Sequence, residues 1–150
     1  MGKIAALDVG DKTIGVAFSD DERRMALPGV TLRRSRDIKA DFAALRTLFA
    51  EHRPDEIVIG LPLMMSGERG IQVEKVEAFA AALRGSVRVP IHFQDERLST
   101  LEAGRGMLSA GRRGRDLKQT IDSVAASLIL QSYMDRLRAA EAGADTEPGD

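Results

Sequence analysis

Four carboxylates stand where a sheet-based active site would collect them. Asp8 ends an apolar run that stops at Gly10, and Asp95 and Glu96 follow a second apolar run, Val87 to Phe93. Asp122 lies within the helical pattern Leu117, Ile121, Val124, Ala125, Leu128, Ile129. At about 100° per residue, Asp122 is only about 20° around from Ile129 and about 60° from Ala125, so it borders the stripe that faces the sheet. The small residues Ser123, Ala125, Ala126 and Ser127 let that helix pack close. A carboxylate at a half-buried sheet edge is costly unless it is paired or metal-bound. Several converging there point to a hard cation with oxygen ligands, Mg²⁺ or Mn²⁺. Two such ions about 4 Å apart would activate a water and stabilise the leaving oxygen of a phosphodiester.

Each acid also has a plainer reading. Asp8, with Val9-Gly10-Asp11, is a good turn opener, and Asp95 is another. Glu96 or Asp122 suits an ion pair with Arg97 or a nearby lysine. Arg97 is equally suited to holding a carboxylate and to touching a phosphate. Glu102 belongs to a capping box with Ser99. The composite therefore carries more weight than any member. Other chemistries fare worse. Gly10 and Gly15 have Walker spacing, but Val16 and Ala17 stand where the lysine and hydroxyl should be. His52 and His92 have no metal-ligand spacing, and there is no G-x-S-x-G elbow. Met64-Met65 suits loop packing better than a cofactor contact.

The elements that must position these acids follow from periodicity. Lys3 to Val9 is a buried strand, Ile14 to Ser19 a second joined to it by a short hairpin, and Met25 to Arg33 a third, bent at Pro28-Gly29. Asp37 caps a helix with Ile38, Phe42, Leu45, Leu48 and Phe49 at helical spacing, which Pro54 stops. Ile57 to Leu61 is a fourth strand, reached by a crossover. A second helix spans Glu68 to Arg84 on Ile71, Val73, Val76, Phe79, Ala80 and Leu83, and Val87 to Phe93 is the fifth strand. A short helix from Ser99 to Ala110, closed by Gly111, precedes a last helix capped by Asp116. The order βββαβαβαα is an α/β fold of three layers around one mixed sheet. Strands one and five can both run parallel, so their C-terminal ends share the edge where such folds place sites.

A chain of 150 residues suits one domain with a sizeable core. With no Cys, disulfide scaffolds, zinc-thiolate clusters and thiol nucleophiles are excluded. The longest apolar stretch, Ile57 to Met65, is far short of the roughly 20 residues of a membrane span. No signal-peptide pattern opens the chain, so a cytoplasmic protein is expected. The net charge of −1 hides a segregation. The last ten residues hold Glu141, Asp145, Glu147 and Asp150 and no base, which leaves 22 bases against 19 acids on residues 1–140. We therefore expect one domain over 1–140 and an acidic, disordered tail over 141–150. Arg97, Arg105, Arg112, Arg113, Arg115 and Lys118 form one basic run, and Arg23, Arg24, Arg33, Arg34, Arg36 and Lys39 another. Such runs either neutralise phosphates or are simply solvated faces.

Four blocks, Asp8-Val9-Gly10-Asp11-Lys12-Thr13-Ile14-Gly15-Val16-Ala17, Gly60-Leu61-Pro62, Asp95-Glu96-Arg97-Leu98-Ser99-Thr100 and Ile121-Asp122-Ser123-Val124-Ala125-Ala126, resemble the RuvX/YqgF family in order and spacing. These are small bacterial proteins similar to Holliday-junction resolvases and named for a nuclease role on pre-16S rRNA. The resemblance covers about residues 3 to 138. It implies an RNase H-like fold with a five-stranded mixed sheet, order 3-2-1-4-5, helices on both faces and an acidic divalent-metal site. The matching positions are Asp8, Asp122 and the Asp95-Glu96 pair, of which Glu96 is favoured as the third metal ligand. The loop after Gly60-Leu61-Pro62 departs from the family, which often has Asn and Asp where Met64 and Ser66 stand here. Lys12, Arg97, Arg105, Arg112, Arg113, Arg115 and Lys118 are the candidate contacts to nucleic acid.

The expected function is therefore a Mg²⁺- or Mn²⁺-dependent endonuclease on structured RNA, in 5′-end maturation of pre-16S rRNA, acting as a monomer or homodimer. The runner-up is a resolvase of four-way DNA junctions on the same chemistry. A third reading is a non-catalytic RNA or ribosome-assembly module, which predicts salt-sensitive binding without turnover. A sugar-kinase or actin-like ATPase shares the Asp-x-Gly hairpin but needs two such domains, for which the chain is too short.

Overall fold

The computed structural model describes residues 2–98 and 115–146. Its centre is a sheet of five strands, β1 (Ile4–Val9), β2 (Thr13–Ser19), β3 (Ala26–Arg33), β4 (Glu56–Leu61) and β5 (Ile91–Asp95), in the order β3-β2-β1-β4-β5. The β1–β2 and β2–β3 pairs are antiparallel, and β4 joins β1 and β5 in parallel. Parallel pairing needs a crossover, which the helices α1 (Ile38–His52) and α2 (Ile71–Arg84) provide. Both pack on one face of the sheet. There Phe42 and Leu45 of α1 and Val76, Phe79, Ala80 and Leu83 of α2 meet Ala5, Leu7, Ile14, Val16, Ile57 and Ile59.

Among the described residues, the opposite face is covered by one long helix, α3 (Arg115–Thr146), whose Ala126, Leu130, Tyr133 and Met134 meet Ile4, Ala6, Ala17 and Val58. Alternation along the strands accounts for the division. Odd-numbered residues of β1 face α1 and α2, and even-numbered ones face α3. Each fully buried Ile or Leu in these layers contributes roughly 1.5–3 kcal/mol of transfer free energy. The expected α/β class and sheet order are those observed.

Local chemistry sets the element ends. Asp37 accepts from Lys39 N at 3.0 Å, and α1 closes on Arg53 in the left-handed region (φ 50°), just before Pro54. Three expected boundaries are corrected. β5 starts at Ile91, not Val87, because Pro90 has no N–H; its carbonyl accepts from Ile57 N at 2.9 Å, and the ladder with β4 begins there. α2 starts at Ile71, not Glu68, since residues 64–68 close on themselves, Met64 N donating to Glu68 O and Gly67 N to Met64 O. Gly67 has φ +88°, which favours glycine. Asp116 lies inside α3 and does not cap it, because the helix already begins at Arg115. α3 runs on to Thr146. Ile38, Ile71 and Met64-Met65, expected to pack, are exposed, with Met65 at 87%. The expected short helix over 99–110 lies outside the described residues. Among the described residues, no helix is long and apolar enough to cross a membrane.

Candidate active site

Because β1, β4 and β5 run parallel, Asp8, Leu61 and Asp95 come to the same end of the sheet. Alternation then decides which acids share a face. Asp8 follows Ile4 and Ala6, both packed under α3, so it belongs to the α3 face. On β5, the His92 ring stacks on Tyr133 of α3 with centroids 6.2 Å apart, and Gln94 Nε2 donates to Ser132 Oγ at 3.2 Å. Ile91 and Phe93 pack into the opposite core. Asp95 therefore belongs to the α1–α2 side, and Glu96, first residue of the 3-10 turn Glu96–Leu98, returns to the α3 side. Gly60 reports this directly. A Cβ there would come within 2.9 Å of Glu96 Oε1 and 2.5 Å of Ile129 Cδ1, so strand, acid and helix side chain share the space that glycine leaves.

Asp95 is engaged differently. Its carboxylate accepts from Arg97 N at 2.9 Å, Arg97 Nε at 3.0 Å and Arg97 Nη2 at 2.7 Å. The two-pronged guanidinium contact holds the Asp95 carboxyl below its ordinary range and raises Arg97 in turn. Arg97 Nη1 also reaches Met65 O at 3.5 Å, so the pair braces the loop after β4 against the end of β5. Of the two roles open to Arg97 in the sequence, carboxylate holder is the one seen.

Asp122 enters from α3. Thr13 Oγ1 donates to its Oδ2 at 2.6 Å, across 109 residues of chain. Below it, Gly15 is the Cα partner of Asp8, and a Cβ on Gly15 would run into the carbonyl oxygen of Asp122. The helix backbone thus rests on the strand beside Asp8 because one side chain is missing. The hairpin that carries Thr13 is braced as well. Gly10 N donates to Thr13 O at 2.9 Å, Arg34 Nη1 to Gly10 O at 2.8 Å, and Arg34 N to Lys12 O at 2.8 Å. Lys12 is exposed at the tip, and neighbouring Asp11 pairs with Lys75 Nζ at 3.2 Å, which lowers the Asp11 carboxyl from its ordinary value.

Asp8, Glu96 and Asp122 thus offer carboxylate oxygens from one face at one edge, the donor chemistry that Mg²⁺ or Mn²⁺ takes. Among the described residues, no three His, Asp or Glu side chains are drawn together into a finished metal cage. The donor types fit a hard cation, and a bound ion would have to gather them further. Arg115 opens α3 and Lys118 lies in its first turn, while Arg105, Arg112 and Arg113 lie outside the described residues. Thr13, Gly15 and Gly60 had no assigned role in the sequence reading. An isolated glycine inside a strand pattern is a signal of close backbone approach, and both glycines carry it.

Residues 2–136 match the model of the RuvX family, described as a Holliday junction resolvase. The chain is 50% identical over 135 residues to a protein of Moorella thermoacetica named "Putative pre-16S rRNA nuclease", a match spanning 90% of this chain and 96% of that one. A Cereibacter sphaeroides protein of the same name is 44% identical over 136 residues, covering 91% and 84%. Among solved structures, the RuvC of T. thermophilus in complex with a Holliday junction substrate aligns with a TM-score of 0.56 at 16% identity, over 91% of this chain and 96% of that one. The yeast mitochondrial Holliday junction resolvase Ydc2 aligns at 0.51 and 12%, over 92% and 81%. At these identities the likeness is one of fold, the RNase H-like arrangement of RuvC-type resolvases.

Proposed function

Since the chain belongs to the RuvX family, we propose that it is a divalent-metal-dependent endonuclease that hydrolyses phosphodiester bonds in structured RNA, the precursor of 16S rRNA, in the cytoplasm. The observation that carries this reading is the common face of Asp8, Glu96 and Asp122, with Asp95 turned to the other side and held by Arg97. The names of the relatives from Moorella thermoacetica and Cereibacter sphaeroides support the substrate.

Asp8, Glu96 and Asp122 would hold the Mg²⁺ or Mn²⁺. When bound, the ion would offset the charge that builds on the phosphate as the bond breaks. Thr13 and Gly15 keep Asp122 against β2, the strand paired with the one that carries Asp8. Lys12 projects from the hairpin tip next to Asp8, where an ammonium can meet a backbone phosphate. Arg105, Arg112, Arg113, Arg115 and Lys118 extend the basic run along the chain between Glu96 and Asp122, and Arg97 stays with Asp95.

The test offers precursor 16S rRNA and a four-way DNA junction side by side, with Mg²⁺, with Mn²⁺ and with EDTA. Cleavage of the RNA that needs the metal and disappears in Asp8→Asn and Asp122→Asn is the expected result. Unchanged cleavage in both folded variants would refute it. The second reading, resolution of DNA junctions, is favoured by the fold shared with the junction-bound RuvC. It predicts junction cleavage by a symmetric dimer, and a monomer inert on junctions counts against it.

A further inference from the structure

We propose that Thr13 is a positioning residue: its hydroxyl fixes the carboxylate of Asp122 in the orientation that a divalent cation and the reaction require. The inference rests on the nuclease reading of Asp122 and goes beyond it to the group behind that acid.

Three observations carry it. The Thr13 Oγ1 to Asp122 Oδ2 contact, at 2.6 Å, is short and partly buried, in the range of a hydroxyl donating to an ionised acceptor. The hydroxyl is the donor and the carboxylate oxygen the acceptor. The bond occupies one lone pair of one oxygen, and a carboxylate has about four such acceptor sites, which leaves capacity for a cation.

Secondly, Thr13 does not move freely. It is the first residue of β2, pairs with Arg33 of β3, and closes the hairpin by accepting from Gly10 N at 2.9 Å. Arg34 ties the same hairpin down at Gly10 O and Lys12 O. A carboxylate side chain alone has two rotatable bonds, and a donor on a fixed strand removes that freedom before a cation arrives.

Thirdly, the partners belong to different layers. Thr13 is on the sheet and Asp122 on α3, so the bond transmits the position of β1 and β2 to the helix. Gly15 sets how near the helix backbone comes, and Thr13 sets where the carboxylate at that point is directed. Groups that orient a metal-binding side chain from behind are typically worth about 10- to 100-fold in metal affinity or activity.

The experiment compares Thr13→Val, Thr13→Ser and Asp122→Asn with the parent protein. Valine keeps the branched shape that a strand favours and removes only the hydroxyl, whereas serine keeps the hydroxyl. Mn²⁺ binding is measured by titration calorimetry without nucleic acid, cleavage by kcat and KM on precursor rRNA, and folding by circular dichroism melts. Thr13→Val should weaken Mn²⁺ binding and lower kcat by about tenfold or more, in line with such orienting groups, with KM little changed. Thr13→Ser should recover most of both. Parent-like Mn²⁺ affinity and kcat in Thr13→Val would overturn the proposal, as would a Thr13→Ser variant as impaired as Thr13→Val. If the valine variant proves poorly folded, the serine variant decides alone against a threonine-to-alanine change at the same position. An Asp122→Asn variant that binds Mn²⁺ and cleaves like the parent would instead remove the nuclease reading of Asp122 itself.

Discussion

Gly15 and Asp122 meet backbone to backbone, so closely that a Cβ on the glycine would overlap the carbonyl oxygen of the aspartate. Since Gly15 is also the Cα partner of Asp8, one absent side chain brings the helix that carries one acid onto the strand next to the other. The separation of the two carboxylates is thereby a property of packing, not of either residue's own conformation.

Gly15→Ala should therefore be damaging out of proportion to one methyl group. The methyl meets main chain, which cannot rotate away, so α3 must lift. Overpacking of this kind costs about 1–3 kcal/mol, readable in urea melts. Cleavage should fall further than the loss of folded protein accounts for. Parent-like stability and activity would mean that α3 slides without consequence.

Glu96 and Asp95 should behave differently although they are neighbours. Glu96→Gln is expected to bring cleavage down to the level of Asp8→Asn. Asp95→Asn weakens the brace through Arg97 and should cost about tenfold or less, as for an outer supporting contact. The reverse ranking in single-turnover assays would make Asp95 the third metal ligand.

Asp41 is buried at the start of α1, where Ser35 N and Oγ donate to Oδ1 at 2.9 and 3.0 Å. Arg34 Nε lies 3.8 Å from Oδ2, which has no hydrogen bond of its own. Arg34→Met would leave that buried charge without its nearest cation. Because Arg34 is part-exposed, we expect a cost on the order of 2 kcal/mol, below that of a fully buried pair. The same change removes the Arg34 Nη1 bond that braces the Gly10–Thr13 hairpin at Gly10 O, so activity should fall as well. Thermal melts that show no destabilisation would mean that water replaces the guanidinium fully.

Asp20 turns the chain between β2 and β3, its Oδ1 accepting from Arg24 N at 2.7 Å and Met25 N at 3.0 Å. These backbone donors, Met25 first, hold its carboxyl below the ordinary value. A depressed native pKa means the ionised form is favoured by folding. The contribution is complete above the unfolded value of about 4 and is lost as pH falls through the lower native value. Asp20→Asn, which does not titrate, should melt below the parent at pH 7 and approach it as pH falls below about 4. A difference that stays constant over that range would contradict the assignment.

Much of this molecule was legible in its sequence, because strand and helix periods are local properties. The apolar runs of β1, β2 and β4, the Asp37 cap and the Pro54 stop all act within a few residues of themselves. Asp8, the Asp95-Glu96 pair and Asp122 stand out in the sequence as candidates too, since they are conspicuous beside apolar patterns. Where sequence reading slipped, a longer-range partner decided the outcome. β5 begins at Ile91 because its ladder with β4 opens at the Ile57–Ile91 pair, just after Pro90, and no apolar period within Val87 to Phe93 states that.

Which face of the sheet each of Asp95 and Glu96 takes likewise needed the tertiary structure. Adjacent residues carry the same chemistry in a string of letters, and only the register of β5 against β4 and α3 turns one to each face. The Thr13–Asp122 bond and the Gly15 contact join positions more than a hundred residues apart. Composition and periodicity thus determined which residues could do chemistry and on which elements they sit. Close packing of α3 on β2 determined which of them face one another, because proximity across layers depends on side chains that are absent as much as on those present.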